Sequence, residues 1–247
     1  MYYYVYDEFV QDQKFERDLA LIETRLTDLG ISGKIARLAL FRDATELIQD
    51  EVKKGASTVV AVGNDMTLRK VIDAVGDSGV AIAIVPLGSN DNKIASLLGV
   101  PRGVEACDVL SARIIEELDV GVVNGRRFLN ELHSTNVVGV KINCDGQYDL
   151  SPMRKSVLEV RNLADADDEV PAAKPTDGKL EIVLRTPSKS WIKSKTGVTL
   201  VPVGHATISC DAPIQISIDG ELFEGEEFHI EVIPNRLKVV TGRERKF

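Results

Sequence analysis

An α/β first half with a parallel, Rossmann-like sheet, followed by an antiparallel β-sandwich, is the fold class that this 247-residue sequence predicts. Three observations predict it. Up to residue 117, short apolar runs alternate with stretches of helical periodicity, the pattern of strands joined by crossover helices. Two of those runs, residues 58–62 and 80–85, are apolar without interruption, as in strands covered on both faces. Beyond residue 118 the helical period disappears, and short β-rich runs recur between turn residues. We therefore divide the chain into domains 1–120 and 121–247.

Residues 2–6 (YYYVY) read as the first strand. Phe15, Leu19, Ile22, Leu26 and Leu29 recur at steps of three and four, one face of a helix that Gly30 ends. Residues 35–40 form the second strand, and residues 44–54 a helix with Asp43 as N-cap and Gly55 as stop. A helix over 68–74 lies between the two apolar strands, and a longer one over 104–117 closes this half. Next, Asn124-Gly125 between residues 120–123 and 128–132 is a two-residue hairpin signal. Residues 135–143 are β-rich. Residues 164–177 (ADADDEVPAAKPTD) are polar, acidic and proline-containing, which reads as a loop. Strands at 180–184, 198–203, 206–210, 214–218, 228–233 and 237–240 complete the second half.

Lys and Arg number 30 against 38 Asp and Glu, a net charge of −8. A duplex-binding protein needs a basic footprint, so we expect no nucleic-acid partner. Cys107, Cys144 and Cys210, and His133, His205 and His229, are scattered without zinc-like spacing. They read as structural residues in a reducing, cytoplasmic compartment. The opening MYYYVYDEFV carries Asp7 and Glu8 and no basic region, unlike a signal peptide. No apolar run reaches the ~18 residues that a spanning helix needs. The single tryptophan sits among cations in Lys189-Ser190-Trp191-Ile192-Lys193-Ser194-Lys195. That segment suits an exposed hairpin with solvated lysines, or a peripheral contact with a membrane surface.

Two loops carry the chemistry. Gly63-Asn64-Asp65-Met66-Thr67 follows one apolar strand and precedes a helix, the place where ligands bind on open α/β sheets. Glycine lets backbone approach a phosphate, and helix N–H groups favour an anion. Asp65 suits either of two tasks there: holding Mg²⁺ or taking a hydroxyl proton, or simply capping the helix. The second loop, Gly88-Ser89-Asn90-Asp91-Asn92, follows the next strand, and Ser89 or Asn90 could cap its helix.

TVVAVGNDMTLRKVIDAV resembles the GGDGT segment of the diacylglycerol kinase and lipid kinase family, a segment shared with NAD kinases. AIAIVPLGSNDNKIASLLGVP resembles that family's second motif, IIPLGTGNDFARALGIP. PTDGKLEIVL is similar to its DDGLLDV segment, and IQISIDGELFEGEEFHIEVIPNRLKVV to its C-terminal DGE and IEVLP stretch. The matches fall in family order over residues 35–110 and 174–240. The resemblance implies a nucleotide-binding first domain, a β-sandwich second domain and a site in the cleft between them. It implies transfer of the ATP γ-phosphate to a lipid hydroxyl such as that of diacylglycerol, with Mg²⁺. By position, Gly63, Asn64, Met66, Thr67, Gly88, Ser89 and Asn90 fall on the nucleotide loops. Asp65 and Glu221 fall on catalytic positions, and Asp177 on a structural Mg²⁺ ligand. Asn64 and Met66 stand where the family has glycine, and the methionine should resist a positive φ. The second loop is one residue longer, so its Asn-Asp pair corresponds either to Asn90-Asp91 or to Asn92-Lys93. Asp7-Glu8-Phe9-Val10 replaces the NPxSG loop, and its two acids should repel phosphate. A nucleotide-binding pseudokinase with a regulatory role, and an NAD kinase-like enzyme for a soluble substrate, are the alternatives.

Overall fold

The computed structural model describes residues 1–38, 44–88, 92–188 and 195–247. Asp43, Ser89, Asn90, Asp91 and residues 189–194 with Trp191 lie outside the described residues. The chain forms two compact units, Met1–Leu118 with Arg236–Lys246, and Asp119–Asn235 with Phe247.

The first unit alternates strands and helices: β1 (Tyr2–Tyr6), α1 (Glu16–Asp28), β2 (Gly33–Arg37), α2 (Ala44–Lys53), β3 (Thr58–Gly63), α3 (Asp65–Val75), β4 (Ala81–Pro86), α4 (Lys93–Leu97) and α5 (Ala106–Ala112). The strands run parallel in the order β4-β3-β1-β2, with Val60 between Tyr4 and Ala83. Every residue of β3 and β4 is buried, as their unbroken apolar sequence requires of strands covered on both faces. The end of the chain returns to this sheet, where Val239 lies parallel to Ile82.

Three boundaries differ from the sequence reading. Helix α3 begins at Asp65 rather than residue 68, because Asn64 supplies its cap. Strand β2 begins at Gly33, where a Cβ would stand 2.2 Å from the Tyr2 carbonyl oxygen. The helix expected over 104–117 is a 3₁₀ turn at Gly103–Glu105 followed by α5. It ends at Ala112 because Arg113 takes a left-handed φ of 50°. The β-branched Ile115 then opens strand β5 (Ile115–Val123).

The second unit is strand-rich and mainly antiparallel. Its further strands are β6 (Arg126–Phe128), β7 (Glu131–Val137), β8 (Lys141–Cys144), β9 (Tyr148–Leu150), β10 (Ser156–Arg161), β11 (Leu180–Ser188), β12 (Lys195–Val203), β13 (His205–Ile218) and β14 (Glu221–Val240). The order β12-β11-β10-β7-β13-β14 forms the main path. Asn124 and Gly125 turn β5 into β6 with φ of 47° and 80°, the type I′ geometry that Asn-Gly favours. The expected strands at 206–210 and 214–218 are one strand, β13, with a bulge between Ser209 and Ile214. Those at 228–233 and 237–240 both lie within β14. Leu132, Leu158, Val160, Ile182, Ile208 and Phe228 belong to the core that the alternating inward positions build. Among the described residues, no helix is long and apolar enough to cross a membrane.

Candidate functional site

The C-terminal ends of β1, β3 and β4 bring three loops together in the first unit. Asp7 follows β1 and donates its N–H to the Val62 carbonyl at 3.1 Å. The residue is buried, with 6% of its surface exposed. Asp7 Oδ2 accepts the Thr67 hydroxyl at 2.9 Å and the Lys70 ammonium at 2.9 Å. The expected repulsion of phosphate by Asp7 therefore does not arise from a bare charge, since Lys70 on the first turns of α3 neutralises it. Sequence spacing could not join residues 63 positions apart. A buried acid next to the motif helix was the only available signal.

The β3 loop closes on itself. Thr67 N–H donates to Asn64 Oδ1 at 3.1 Å, and Asn64 N–H donates to Thr67 Oγ1 at 3.1 Å, a reciprocal capping box. The Thr67 N–H that a bare glycine loop would offer to an anion is thus satisfied from within. Met66 lies inside α3 with its side chain exposed, so the strain expected from a positive φ does not occur. Gly63 is required by its neighbour, because a Cβ there would stand 2.2 Å from Thr67 Oγ1. Thr67 is held by both Asn64 and Asp7 and cannot swing aside. Gly63→Ala is expected to lower stability by about 1–3 kcal/mol. Urea unfolding of G63A, T67A and the double variant checks this, with a double variant less destabilised than the sum of the two.

Asp65 reaches across to the next loop. Its Oδ2 accepts the Ile94 N–H at 2.9 Å, and its Oδ1 the Ala95 N–H at 3.4 Å. The carboxylate thereby joins the start of α3 to the start of α4. It caps the neighbouring helix, whereas the sequence reading considered only the cap of its own. Gly88 has φ of 84°, a left-handed conformation suited to glycine. Its carbonyl accepts Asn92 Nδ2 at 3.3 Å. Beside Gly88 opens a cavity of about 770 Å³, with Lys14, Phe15, Leu87 and Arg102 in its lining. Lys14 and Arg102 bring positive charge to a glycine turn, and sequence reasoning missed both. A phosphate chain suits that chemistry.

The remaining candidates lie in the second unit. Glu221 is exposed and directly follows the Asp219-Gly220 turn, whose φ values are 45° and 91°. Asp219 accepts the N–H groups of Leu129 at 2.8 Å, Asn130 at 3.0 Å and Glu131 at 2.9 Å. That latch fixes the start of β14. Asp177 Oδ1 accepts the Lys179 N–H at 2.9 Å, an Asx-type turn. The neighbouring Gly178 N–H goes to the fully buried Asp119 at 2.7 Å. Mg²⁺ needs about six oxygen ligands, and one Asp177 oxygen is already engaged by the backbone. Among the described residues there is no group of three His, Cys, Asp or Glu that could hold a metal. Asp177 thus keeps Oδ2 for a cation, whose remaining ligands would have to be backbone carbonyls and water. Burial pushes the Cys107 thiol up to about 11 and raises those of Cys144 and Cys210, so none is a ready thiolate at neutral pH.

Residues 2–123 match the family model of the diacylglycerol kinase catalytic domain. A Pseudomonas aeruginosa (strain UCBPP-PA14) protein named "Probable lipid kinase YegS-like" is 34% identical over 110 residues, 44% of this chain and 35% of that protein. A diacylglycerol kinase of Bacillus subtilis (strain 168) is 23% identical over 172 residues, 68% of this chain and 54% of that one. The chain thus spans about a third of the length of the first curated relatives it matches. The crystal structure of a diacylglycerol kinase from Bacillus anthracis str. Sterne superposes with a TM-score of 0.80 at 19% identity, covering 98% of this chain and 97% of that one. The two-part fold expected from the sequence is therefore the fold of a solved protein.

Proposed function

Residues 2–123 make this chain a member of the diacylglycerol kinase catalytic-domain family, and from that premise we propose that it is a lipid kinase-like phosphotransferase. In this reading it moves the γ-phosphate of ATP, with Mg²⁺, to a lipid hydroxyl such as that of diacylglycerol, at a membrane surface. The observation that carries the reading is the pair of hydrogen bonds that Asp65 accepts from the Ile94 and Ala95 N–H groups, which couples the loops after β3 and β4 through one carboxylate. Phosphoryl transfer asks the protein mainly to position groups and to balance charge. Gly88 and the cations Lys14 and Arg102 would receive the phosphates, and bound Mg²⁺ would supply charge neutralisation on them. Asp65 would orient the reacting end of the nucleotide, and Glu221 would take the proton of the acceptor hydroxyl. No role is assigned to an ion at Asp177. The test is transfer of labelled phosphate from Mg-ATP to diacylglycerol in mixed micelles. Absence of a labelled lipid would overturn the reading.

A second reading, a nucleotide-binding pseudokinase, is favoured by the Asn64–Thr67 capping box, which consumes a donor an active loop would turn to phosphate. Freeing that donor should strengthen binding. The double variant N64G/M66G is expected to bind Mg-ATP roughly ten- to a hundredfold more tightly, the value of one charge-assisted hydrogen bond. Calorimetric titration checks it. Unchanged affinity in a folded double variant would mean that the capping box does not limit nucleotide binding.

A further inference from the structure

We propose that the second unit docks on an anionic membrane surface through two adjoining loop tips, one at Val138 and one at Met153. The docking rests on the phosphotransfer reading only in that a lipid acceptor places the protein at a membrane.

The first tip, Val138-Gly139-Val140, joins β7 to β8, and the second, residues 151–155, joins β9 to β10. Gly139 N–H donates to Pro152 O at 3.0 Å, which ties the two tips side by side. Gly139 has φ of 68°, a turn that glycine accepts without strain. Val137 and Val140, on either side of the first tip, belong to the core, and Pro152 is buried. The tips therefore stand on a packed base. Met153 is 86% exposed, the highest value among the large hydrophobic residues described, and Val138 is 50% exposed. A single exposed apolar side chain is ordinary. Two of them held together on neighbouring tips present apolar surface where it can enter the headgroup layer of a bilayer.

The charge beside them selects the kind of surface. Arg154 and Lys155 directly follow Met153, are exposed, and make no ion pair among the described residues. Lys141, at the start of β8, is held by Asp149 at 3.0 Å, so this pair adds no net charge. The next acid along the strands is Asp211, in the bulge of β13 just beyond Ser209, the partner of Lys141. Strand β8 separates β13 from β9, so Asp211 lies across β8 from the tip that bears the two cations. Uncommitted cations next to an apolar tip complement anionic lipid, which attracts Lys and Arg near its surface.

Co-sedimentation with vesicles, without nucleotide, tests the surface. One set of vesicles is phosphatidylcholine alone, the other phosphatidylcholine with phosphatidylserine. We expect the full chain to bind the anionic vesicles, to bind the neutral ones at least about fivefold less, and to be released by salt. Met153→Asp should weaken binding by about tenfold or more, the loss of one buried apolar side chain. The double variant R154Q/K155Q should also weaken it by about tenfold or more, the loss of two cations at a charged surface. Both variants should melt as the wild type does, since the altered side chains face water. If one of them melts lower, the other decides. The proposal is overturned if the wild type does not bind anionic vesicles, if it binds neutral ones equally well, or if a folded variant binds as the wild type does. A dimer in solution that Met153→Asp converts to monomers would assign the tips to a contact between copies and overturn it as well. Phosphate transfer in mixed micelles is measured separately. Transfer without vesicle binding refutes the docking surface alone, and vesicle binding without transfer refutes the phosphotransfer reading alone.

Discussion

Asp219→Ala is expected to lower the stability of the protein by about 3–5 kcal/mol, the upper end for a single substitution. Three consecutive N–H groups, of Leu129, Asn130 and Glu131, end on this one carboxylate. Leu129 and Asn130 are buried, so the released N–H groups would find no water. A hydrogen bond to a charged group contributes about 1.5–3 kcal/mol, and orphaned buried donors cost more than the bond alone. Asp219 also has φ of 45°. Alanine resists that left-handed backbone by about 1–2 kcal/mol, whereas asparagine tolerates it. Asp219→Asn separates the two causes, because it keeps the turn and one acceptor oxygen but loses the charge. Thermal unfolding followed by circular dichroism should place Asn between wild type and Ala. A fall in melting temperature of only a degree or two for Asp219→Ala would contradict the latch. Glu221 follows at once, so loss of the latch should also disturb the proposed base.

Asp65→Ala is expected to cut lipid phosphorylation by roughly 10²-fold, the cost of misplacing a reacting group by about 1 Å. Its expected stability cost is only about 1 kcal/mol, the value of a helix cap, because Ile94 and Ala95 lose their acceptor at α4. The contrast between the two magnitudes is the test. Asp65→Asn retains an oxygen that can accept from Ile94 but removes the charge. If Asp65→Asn transfers phosphate as fast as wild type, the carboxylate is a cap and nothing more. If it keeps its melting temperature and loses activity, the charge acts on the reactants. Steady-state rates with diacylglycerol and a melting curve on the same preparations decide between these outcomes.

What depends on near neighbours is legible in the sequence. Unbroken apolar runs put β3 and β4 in a covered parallel sheet, since a half-exposed strand would have to alternate. Asn124-Gly125 marks a type I′ turn because few other residue pairs accept positive φ twice in succession. The spacing of Phe15 to Leu29 announces α1. Local pattern misjudged the helix over 104–117, where the left-handed Arg113 breaks a run that composition alone allows. It also left out β10, whose buried positions alternate too briefly to stand out.

What depends on residues far apart in the chain emerges only on folding. Asp7 reads as a repellent acid until Thr67 and Lys70, 60 and 63 positions away, are found on its carboxylate. Asp65 reads as a catalytic acid or as the cap of its own helix, and only the fold shows Ile94 and Ala95 on its carboxylate; the return of β14 to β4 likewise has no local signature. Helical and strand periods arise from the backbone and repeat within a few residues, so sequence reports them. A side chain's partner across the sheet is chosen by where the packed strands end, and no period in the sequence encodes that distance.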